Sequence, residues 1–529
     1  MRPLLPALRR VESAAEIHAN RYLIAVTMTL ASVMELVDTS IVNVAIPHMM
    51  GSLGATLDEI AWVSTGYVVA NVVILPVSGW LSNYVGRRNY FALSIMLFIV
   101  ASLFCGNAGS LGGLVFWRIV QGVGGGGLIS TTQATLYETF PAKEAGTSMA
   151  IFGLGIMVGP MLGPTLGGWI TDALSWPWIF YINLPLGILA LLLSLMLVPD
   201  SKYGSRAEKI DGTGFLLLAL AVGCLQTLLE RGEKLDWFAS REILAYAAVS
   251  AVAAVLFVWR ELSYDHPVVD LRIFADAQFS VSLAIGIIVG AVLYSTVFVF
   301  PVYVQTLLGF TAWKTGWVIF PSALASGVAM AVMGRLVGAT RLDLRLFVVA
   351  GAAVFAYSMW QHSLFTVQSG TDDFLWPMIL RGVGLGMIFI PLNNLSLGNL
   401  APEKMAAGSG IYNLTRQLGG SIGIATSATM FQQWQARNRG EILNHLSEFS
   451  PQATLRLAQF KALVLAHGTP VSLAPAKALH LLNGEVARQA AMLSFARLFL
   501  AFGVVLCCAL PLLLLIRHGK FRRGGESVH

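Results

Sequence analysis

Charged residues are scarce in this sequence: Asp, Glu, Lys and Arg together make up 12% of its 529 residues. Soluble domains carry roughly 25%. The mean hydropathy of +0.71 and the 56% share of hydrophobic residues are typical of an integral membrane protein. Hydrophobic runs recur regularly and leave no soluble block of domain size. The scarcity of charge therefore excludes a chain of soluble domains and predicts one all-α, polytopic membrane protein.

Several sequence motifs are also missing. The four cysteines all lie inside apolar runs, which excludes a disulfide framework or a zinc site. The nine histidines are scattered and HExxH does not occur, which disfavours a membrane enzyme. A GxxxxGK[ST] run is absent as well, so we expect a proton gradient and not ATP as the energy source, with no cofactor and no metal. The net charge of +6 is dispersed in short loops, which disfavours a nucleic-acid partner.

The apolar runs have the length of membrane spans, about 20 residues each, and we predict fourteen of them. They extend from about 22 to 46, 60 to 82, 90 to 106, 113 to 136, 147 to 170, 178 to 198, 213 to 230, 242 to 261, 279 to 304, 315 to 334, 346 to 364, 374 to 398, 405 to 430 and 491 to 516.

The loops between these spans differ in charge from one side to the other. Short loops on the side of the N-terminus carry most of the Lys and Arg, for example Arg87, Arg88, Arg335 and Lys404. Cytoplasmic loops are rich in these residues, so both termini are predicted to lie in the cytoplasm. The segment 431–490 is then the one long external loop.

An internal repeat divides the chain. GWLSNYVGRR from Gly79 is echoed by GRLVGATRLDLR from Gly334, RIVQGVG from Arg118 by RGVGLG from Arg381, and PAKEAGTS from Pro141 by PEKMAAGS from Pro402, at offsets of 255, 263 and 261 residues. Each pair of segments falls at the same kind of loop or span, so the two halves have the same topology. This predicts two pseudo-symmetric six-helix bundles related by an axis along the membrane normal. The predicted plan is a cytoplasmic lead (1–21), an N-terminal bundle (22–198), a linker with two extra spans (199–278), a C-terminal bundle (279–516) and a cytoplasmic tail (517–529).

Two carboxylates fall inside the first span. Glu35 and Asp38 are three residues apart and therefore share one helix face. Ionisable residues within the membrane commonly face a cavity or a proton path, so we predict that Asp38, with Glu35 and Arg118, couples transport to proton movement. Alternatively, Asp38 pairs with an arginine as a structural element, Glu35 lies near the outer interface, and Arg118 extends its side chain to the lipid head groups.

The fifth span carries a regular glycine pattern. Gly155, Gly159, Gly163 and Gly167 recur every four residues, with Pro160 and Pro164 between them. A face without side chains lets another helix approach closely, and each proline removes a helix hydrogen bond, so we predict a bent helix with a sliding or sealing contact. The alternative is ordinary packing by small residues.

Polar and aromatic residues in several spans predict a central substrate cavity, mostly apolar with a few polar points. The candidates are Gln121, Gln133, Asn393, Asn394, Asn413, Arg416 and Gln417, with Tyr294, Phe298 and Tyr303. Each aromatic side chain could instead lie in the core or face lipid. If Glu35 faces this cavity, Coulomb attraction should favour cationic compounds.

Six segments in order resemble signatures of the major facilitator superfamily, in its fourteen-span drug:proton antiporter family of the EmrB and QacA type. They are LVDTSIVNVAIP, GWLSNYVGRR, RIVQGVGGG, the glycine helix with its extra Gly168, SWPWIFYINLPLG and HPVVDLRIF. The resemblance implies a location in the inner membrane of a bacterium and alternating access that exports amphipathic toxic compounds against inward proton flow. It also implies a gating loop at Gly79, Asn83, Gly86, Arg87 and Arg88.

The same resemblance implies partners besides the lipid bilayer and small amphipathic substrates. Such pumps work with a periplasmic membrane-fusion adaptor and an outer-membrane channel, so the loop 431–490 is a candidate adaptor contact. Two positions depart from the family pattern: Asn83 stands where an aspartate is usual and Pro177 where an arginine is usual. An ion pair that closes the cytoplasmic side is therefore expected to be missing or replaced.

The same fold also serves proton symporters and uniporters for small nutrients or metabolites, which is the alternative function. Such a protein would be expected to lack the proline-bearing glycine helix.

Overall fold

The computed structural model describes residues 13–141, 144–200, 211–265, 267–339, 342–398, 400–446 and 450–516, and these form helices and connecting turns without a strand. The predicted lead up to residue 12, the basic loop 201–210 and the predicted tail 517–529 lie outside the described residues. The domain boundaries given above stay predictions.

The helices follow the predicted order of spans. In the first half they are α1 (Ala14–Leu53), α2 (Leu57–Val85), α3 (Arg87–Gly106), α4 (Leu111–Gly125), α5 (Leu128–Thr139), α6 (Ala145–Ala173), α7 (Trp178–Tyr181) and α8 (Asn183–Leu197). The inserted pair is α9 (Gly212–Arg231) and α10 (Arg241–Ser263). The second half contains α11 (Ala277–Thr306), α12 (Ala312–Ala339), α13 (Leu344–Ser363), α14 (Thr371–Leu397), α15 (Met405–Asn444), α16 (Pro451–Ala466) and α17 (Ala474–Ala509).

The count of fourteen spans is not confirmed, although the all-helical architecture is. Within the described residues, 11 helices are long and apolar enough to cross a membrane. The predicted spans at 113–136, 147–170 and 405–430 are not among them. The first of these is divided at Gly126 and Gly127 into α4 and α5, which are too short individually, and α15 carries many polar side chains.

Capping residues define several helix ends. Ser13 and Glu16 form a capping box at the start of α1, and Thr56 and Glu59 form another at the start of α2. Such pairs satisfy the backbone N–H groups that a helix start leaves unpaired. Gly86, between α2 and α3, has φ of +90°, which glycine adopts without the steric cost of a side chain.

Two groups of helices form the body. Helices α1 to α8 pack on one another, as do α11 to α15 with α17, and the groups meet where α6 packs on α12 and where α2 packs on α15. The inserted helix α9 lies against α2 and also reaches α15, where Gln226 Nε2 donates to Ser421 Oγ at 2.8 Å. Nearby, Trp237 Nε1 donates to Thr429 Oγ1 at 2.9 Å. The inserted pair therefore contacts both groups.

We call the end of the assembly at which α1 begins the terminal face, and the other end the opposite face. Contacts between the groups on the terminal face include Gly79 of α2 against the Ala406 backbone of α15, and Ser409 Oγ donating to Ser130 O at 3.1 Å. Beyond the opposite face, α15 continues to Asn444, α16 follows, and α17 begins at Ala474. The predicted external loop is thus largely helical.

Candidate functional site

A buried ion pair joins α1 to α4. Asp38 Oδ2 and Arg118 Nη1 are 2.6 Å apart, and the two side chains are 0% and 1% exposed. Gln121 Nε2 and Asn183 Nδ2 donate to Asp38 Oδ1 at 2.9 and 2.6 Å. The carboxylate therefore accepts three hydrogen bonds, which is how a charge is held in a protein interior without water.

The Arg118 side chain points into the helix bundle and not toward the lipid head groups. Its Nε donates to Val63 O at 3.1 Å, and Nη1 also donates to Gln121 Oε1 at 2.6 Å. The guanidinium carbon lies 4.1 Å from the centre of the Tyr67 ring, a cation–π contact. This geometry is that of a paired internal arginine.

Glycines in α4 allow this pair to form. A Cβ atom built on Gly122 would collide with Tyr67 O of α2, and one on Gly124 would lie 2.8 Å from Phe98 N of α3. Because these positions have no side chain, α4 approaches both neighbours backbone to backbone. The close approach brings Arg118 within reach of α1.

Glu35 lies one turn from Asp38 but in a separate environment. Its side chain is 3% exposed, and Oε1 accepts a hydrogen bond from Asn71 Nδ2 at 2.7 Å. Oε2 has no hydrogen-bond partner among the described residues. The first span thus holds one carboxylate that is fully paired and one that retains a free acceptor oxygen.

The glycine face of α6 packs on α1, the helix that carries both carboxylates. Cβ atoms built on Gly155, Gly159, Gly163 and Gly167 would meet Thr29, Leu36, Ser40 and Ile41, respectively. Ser40 Oγ also donates to Gly159 O at 3.1 Å. The Pro160 and Pro164 side chains lie outside the described part, and Gly168 O accepts from Thr171 Oγ1 at 3.1 Å.

Another face of α6 packs on α12 of the second group. Gly146 lies against Gly334, Gly153 against the Met330 sulfur, and Thr165 against Gly316. Contact therefore runs along most of both helices. Helix α6 connects α1 to the second group.

The predicted gating loop forms ion pairs and hydrogen bonds within the first group. Arg87 bonds Glu138 of α5, with Nη2 and Oε1 2.5 Å apart. Arg88 Nε donates to Val198 O at 2.7 Å, and its backbone N donates to Asp200 Oδ1 at 3.0 Å. Asn83 is half-buried. This loop therefore ties the end of α2 and the start of α3 to α5 and to the end of α8.

Four of the predicted cavity residues form one network between the groups. Asn413 Nδ2 donates to Gln133 Oε1 at 2.7 Å, and Gln133 Nε2 donates to Asn393 Oδ1 at 3.2 Å. Arg416 Nη2 donates to Asn413 Oδ1 at 2.9 Å. We call these four residues, from α5, α14 and α15, the cross-bundle network.

The remaining cavity candidates lie elsewhere. Gln121 belongs to the Asp38 network, and Tyr303 is buried among aromatic rings, with its hydroxyl donating to Thr366 O at 3.1 Å. Phe298 is 44% exposed. The other three make no hydrogen bond to the cross-bundle network within the described residues. Asn394 is buried and donates to Ile390 O, Tyr294 packs beside Gly420, and Gln417 is half-buried.

Sequence reasoning missed several polar residues that complete these sites. Asn183 binds Asp38, Asn71 binds Glu35, and Ser102 Oγ accepts from Gln121 Nε2 at 2.7 Å. All three are buried within apolar runs. An isolated asparagine in such a run was the available signal, because a buried amide requires partners.

Arg381, the repeat counterpart of Arg118, has a different environment. It is 4% exposed, and its Nε donates to Ser322 Oγ at 3.2 Å. Among the described residues no carboxylate lies within ion-pair distance of it. The ion pair of the first group is therefore not repeated in the second.

Comparisons with known proteins agree with this architecture. Residues 28–424 match the model of the Major Facilitator Superfamily. The chain is 32% identical over 447 residues to the multidrug export protein EmrB of Escherichia coli (strain K12), which covers 84% of this chain and 87% of that protein. It is 31% identical over 503 residues to the fatty acid resistance protein FarB of Neisseria gonorrhoeae, covering 95% and 97%.

Among solved structures, a double-tryptophan mutant of XylE superposes with a TM-score of 0.59 at 14% identity, covering 96% of this chain and 98% of that one. At this identity the likeness concerns the fold alone.

Proposed function

The chain belongs to the major facilitator superfamily of membrane transporters, and from this premise we propose that it exports hydrophobic or amphipathic toxic compounds in exchange for protons. Two relatives are named for multidrug export and for fatty acid resistance. The observation that carries the proton coupling is the buried Asp38–Arg118 pair, 2.6 Å from Oδ2 to Nη1.

In this proposal Asp38 is the proton carrier. Its ionised carboxylate is stabilised by Arg118, Gln121 and Asn183. A proton arriving from the external side neutralises the carboxylate and removes its attraction for Arg118, so the hydrogen bonds around it must rearrange. Release of that proton toward the cytoplasm restores the pair and resets the transporter.

Contacts between helices support a route from this proton to the bundle interface. Asp38 lies on α1, α1 packs on the glycine face of α6, and α6 packs on α12. A shift of α1 would therefore displace α6, since the glycine face leaves no side chains to absorb the movement. The nearest such contacts are Gly163 against Ser40 and Gly159 against Leu36, each two residues along α1 from Asp38.

The available energy is sufficient for export. One charge moving through 100 mV yields about 2.3 kcal/mol, and one unit of pH adds about 1.4 kcal/mol. One proton per cycle could then maintain a substrate gradient on the order of a few hundredfold.

We place both termini in the cytoplasm, following the distribution of Lys and Arg. The contacts of Gly79 with Ala406 and of Ser130 with Ser409 then lie on the cytoplasmic side. A transporter joined there is in an outward-facing or occluded state. The carrier would reach its other state by separating these contacts.

We also propose that the transporter works with a membrane-fusion adaptor and an outer-membrane channel. The helices beyond the opposite face and the turn that joins them expose several apolar side chains, including Leu455 at 61%, Val471 at 74% and Leu479 at 60%. With the termini inside, these helices project into the periplasm. Apolar side chains outside the membrane suit a protein contact.

The proposal is tested with inside-out vesicles that hold a proton gradient, acidic in the lumen. The parent is expected to accumulate an amphipathic dye against its gradient and to lose it on adding an uncoupler, because the exchange consumes the proton gradient. Asp38→Asn should abolish uphill accumulation. Asp372→Asn, at an exposed position in the first turn of α14, is the matched control and should behave as the parent.

Uphill accumulation by Asp38→Asn at the parental rate, with parental sensitivity to uncouplers, would contradict the proposed role of Asp38. Dye that moves out of the lumen instead of into it would identify an importer.

A further inference from the structure

Arg416 is a buried cation without a carboxylate partner. Its side chain is 5% exposed, and no Asp or Glu of the described residues lies within ion-pair distance. Its other contacts are with neutral groups: Nη2 donates to Asn413 Oδ1, and the guanidinium lies 5.2 Å from the centre of the Phe389 ring. Nη1 makes no hydrogen bond within the described part of the chain. A charge in this position is costly unless an anion compensates it.

The arginine fixes the direction of every hydrogen bond in the cross-bundle network. A guanidinium can only donate, so Asn413 must present its oxygen to Arg416 and its amide nitrogen to Gln133. Gln133 must then accept with its oxygen and donate through its nitrogen to Asn393 Oδ1, as observed. Each of the three amide oxygens thereby accepts one hydrogen bond from within the network.

The groups that the network leaves without a partner are donors. Among the described residues, Arg416 Nη1 at one end and Asn393 Nδ2 at the other are buried and make no hydrogen bond. An ammonium group would bring only further donors to this site and a hydroxyl brings a donor with its acceptor lone pairs, whereas a carboxylate or another acid anion brings only acceptors and a charge opposite to that of Arg416. The aromatic rings of Phe389 and Tyr412, at 5.2 and 6.0 Å from the guanidinium, supply apolar surface beside it.

We propose that Arg416, at one end of the cross-bundle network, binds the anionic head group of the transported amphiphile, so that this carrier prefers organic acids. The inference rests on the proposed export function and names a substrate class for it. It reverses the preference for cations that Glu35 alone would give. Glu35 is on α1 and hydrogen-bonded to Asn71, whereas Arg416 is on α15.

The test measures binding to the full-length protein in nanodiscs of phosphatidylcholine. Three fluorescent probes share one apolar body and differ in charge: 2-naphthoate, 2-naphthalenemethanol and 2-naphthylmethylammonium. The parent is expected to bind 2-naphthoate at least about tenfold more tightly than either of the others, a difference of about 1.4 kcal/mol.

Arg416→Gln removes the charge but keeps an amide donor for Asn413. It should weaken 2-naphthoate binding by about tenfold or more and change binding of the neutral probe by less than about twofold. Arg416→Lys should restore most of the preference. The matched control is Arg381→Gln, which removes a buried arginine of the same half that bonds Ser322, and it should leave the preference intact.

Asn393→Asp provides a second variant of nearly unchanged shape, should Arg416→Gln fail to fold. It places a carboxylate at the donor end, so 2-naphthoate binding should fall while 2-naphthylmethylammonium binding rises. Equal losses for all three probes in Arg416→Gln, or unchanged 2-naphthoate binding, would overturn the proposal.

A lipid head group is the other source of an anion. Repeating the measurement in discs that contain phosphatidylglycerol separates the two sources of an anion. If the parent still binds 2-naphthoate in these discs, a substrate site is supported. If phosphatidylglycerol abolishes 2-naphthoate binding by the parent, the proposal is overturned in favour of a lipid site. Failure of the anion preference is distinguishable from failure of the export function, since vesicle accumulation of the neutral probe tests export without Arg416.

Discussion

Removing either partner of the Asp38–Arg118 pair distinguishes a proton carrier from a structural ion pair. The charges, about 4 Å apart between their centres at an effective dielectric near 20, attract by ~4 kcal/mol. In Asp38→Asn the new amide nitrogen must face either Arg118 or the amide nitrogens of Gln121 and Asn183, donor against donor in both orientations. A buried charge is then left unpaired, and such changes cost about 3 to 5 kcal/mol of the free energy of unfolding.

The double variant Asp38→Asn with Arg118→Gln removes both charges and leaves groups that can hydrogen-bond each other. We expect each single variant to lose about 3 to 5 kcal/mol and the double variant to lose much less than their sum, since neither charge is stranded. The assay is unfolding of the purified protein by titration with SDS, which yields the coupling free energy of the cycle. Additive losses would refute the assignment of a strong ion pair.

Transport by the same variants decides the role. If Asp38 carries the proton, the double variant recovers stability but still fails to accumulate dye uphill. If the pair is only structural, regaining stability should regain proton-driven accumulation in the vesicle assay. Arg118→Gln alone, which keeps the carboxylate, should retain downhill movement of dye while its response to external pH shifts from that of the parent.

Three further predictions concern other parts of the molecule. Gly163→Val should slow transport and lower stability, because α6 and α1 can no longer approach closely. The control Gly484→Ala, at a position with open space around it, should stabilise the protein by up to about 1 kcal/mol in the same unfolding titration. A valine that is tolerated at position 163 would contradict the close-contact interpretation. Deleting 451–466 should leave transport in vesicles intact and abolish resistance of whole cells, and full resistance would count against adaptor docking. The hydrogen bond from Arg21 lowers the pKa of the Glu144 carboxyl, so the stabilisation from this pair is present above the ordinary pKa of about 4.5 and is lost on acidification. The stability of Glu144→Gln should therefore differ from that of the parent at pH 7 and converge with it below about pH 4. A difference that stays constant with pH would exclude this pair as the cause.

The sequence was most informative about class and order of elements. Charge scarcity, periodic apolar runs and the repeat at Arg118 and Arg381 predicted an all-helical membrane protein of two halves, and the family match agrees. The division of one span at Gly126 and Gly127 was not predicted. A run of glycines permits a straight close contact as readily as a break, so composition alone does not decide between them.

The candidate site was harder to predict, because membrane helices are apolar on every side and hydropathy does not reveal which face is internal. Tyr303 was assigned to the cavity, and the structure places it among aromatic rings. Gln121 was also assigned there, although its spacing of three from Arg118 already placed both on one face. That spacing was the overlooked signal for the Asp38 network, in which the two side chains are hydrogen-bonded.

The position of the inserted pair restricts how far the halves can separate. Helix α9 packs along α2, and Gln226 and Trp237 donate hydrogen bonds to Ser421 and Thr429 of α15. The inserted segment therefore links the two groups of helices along one edge of their interface. In the proposed transport cycle, separation of the two groups would have to lengthen or break those contacts, whereas the described residues place no inserted helix at the α6–α12 edge. We therefore expect an asymmetric opening, with the hinge near α9 and the widest gap on the far edge.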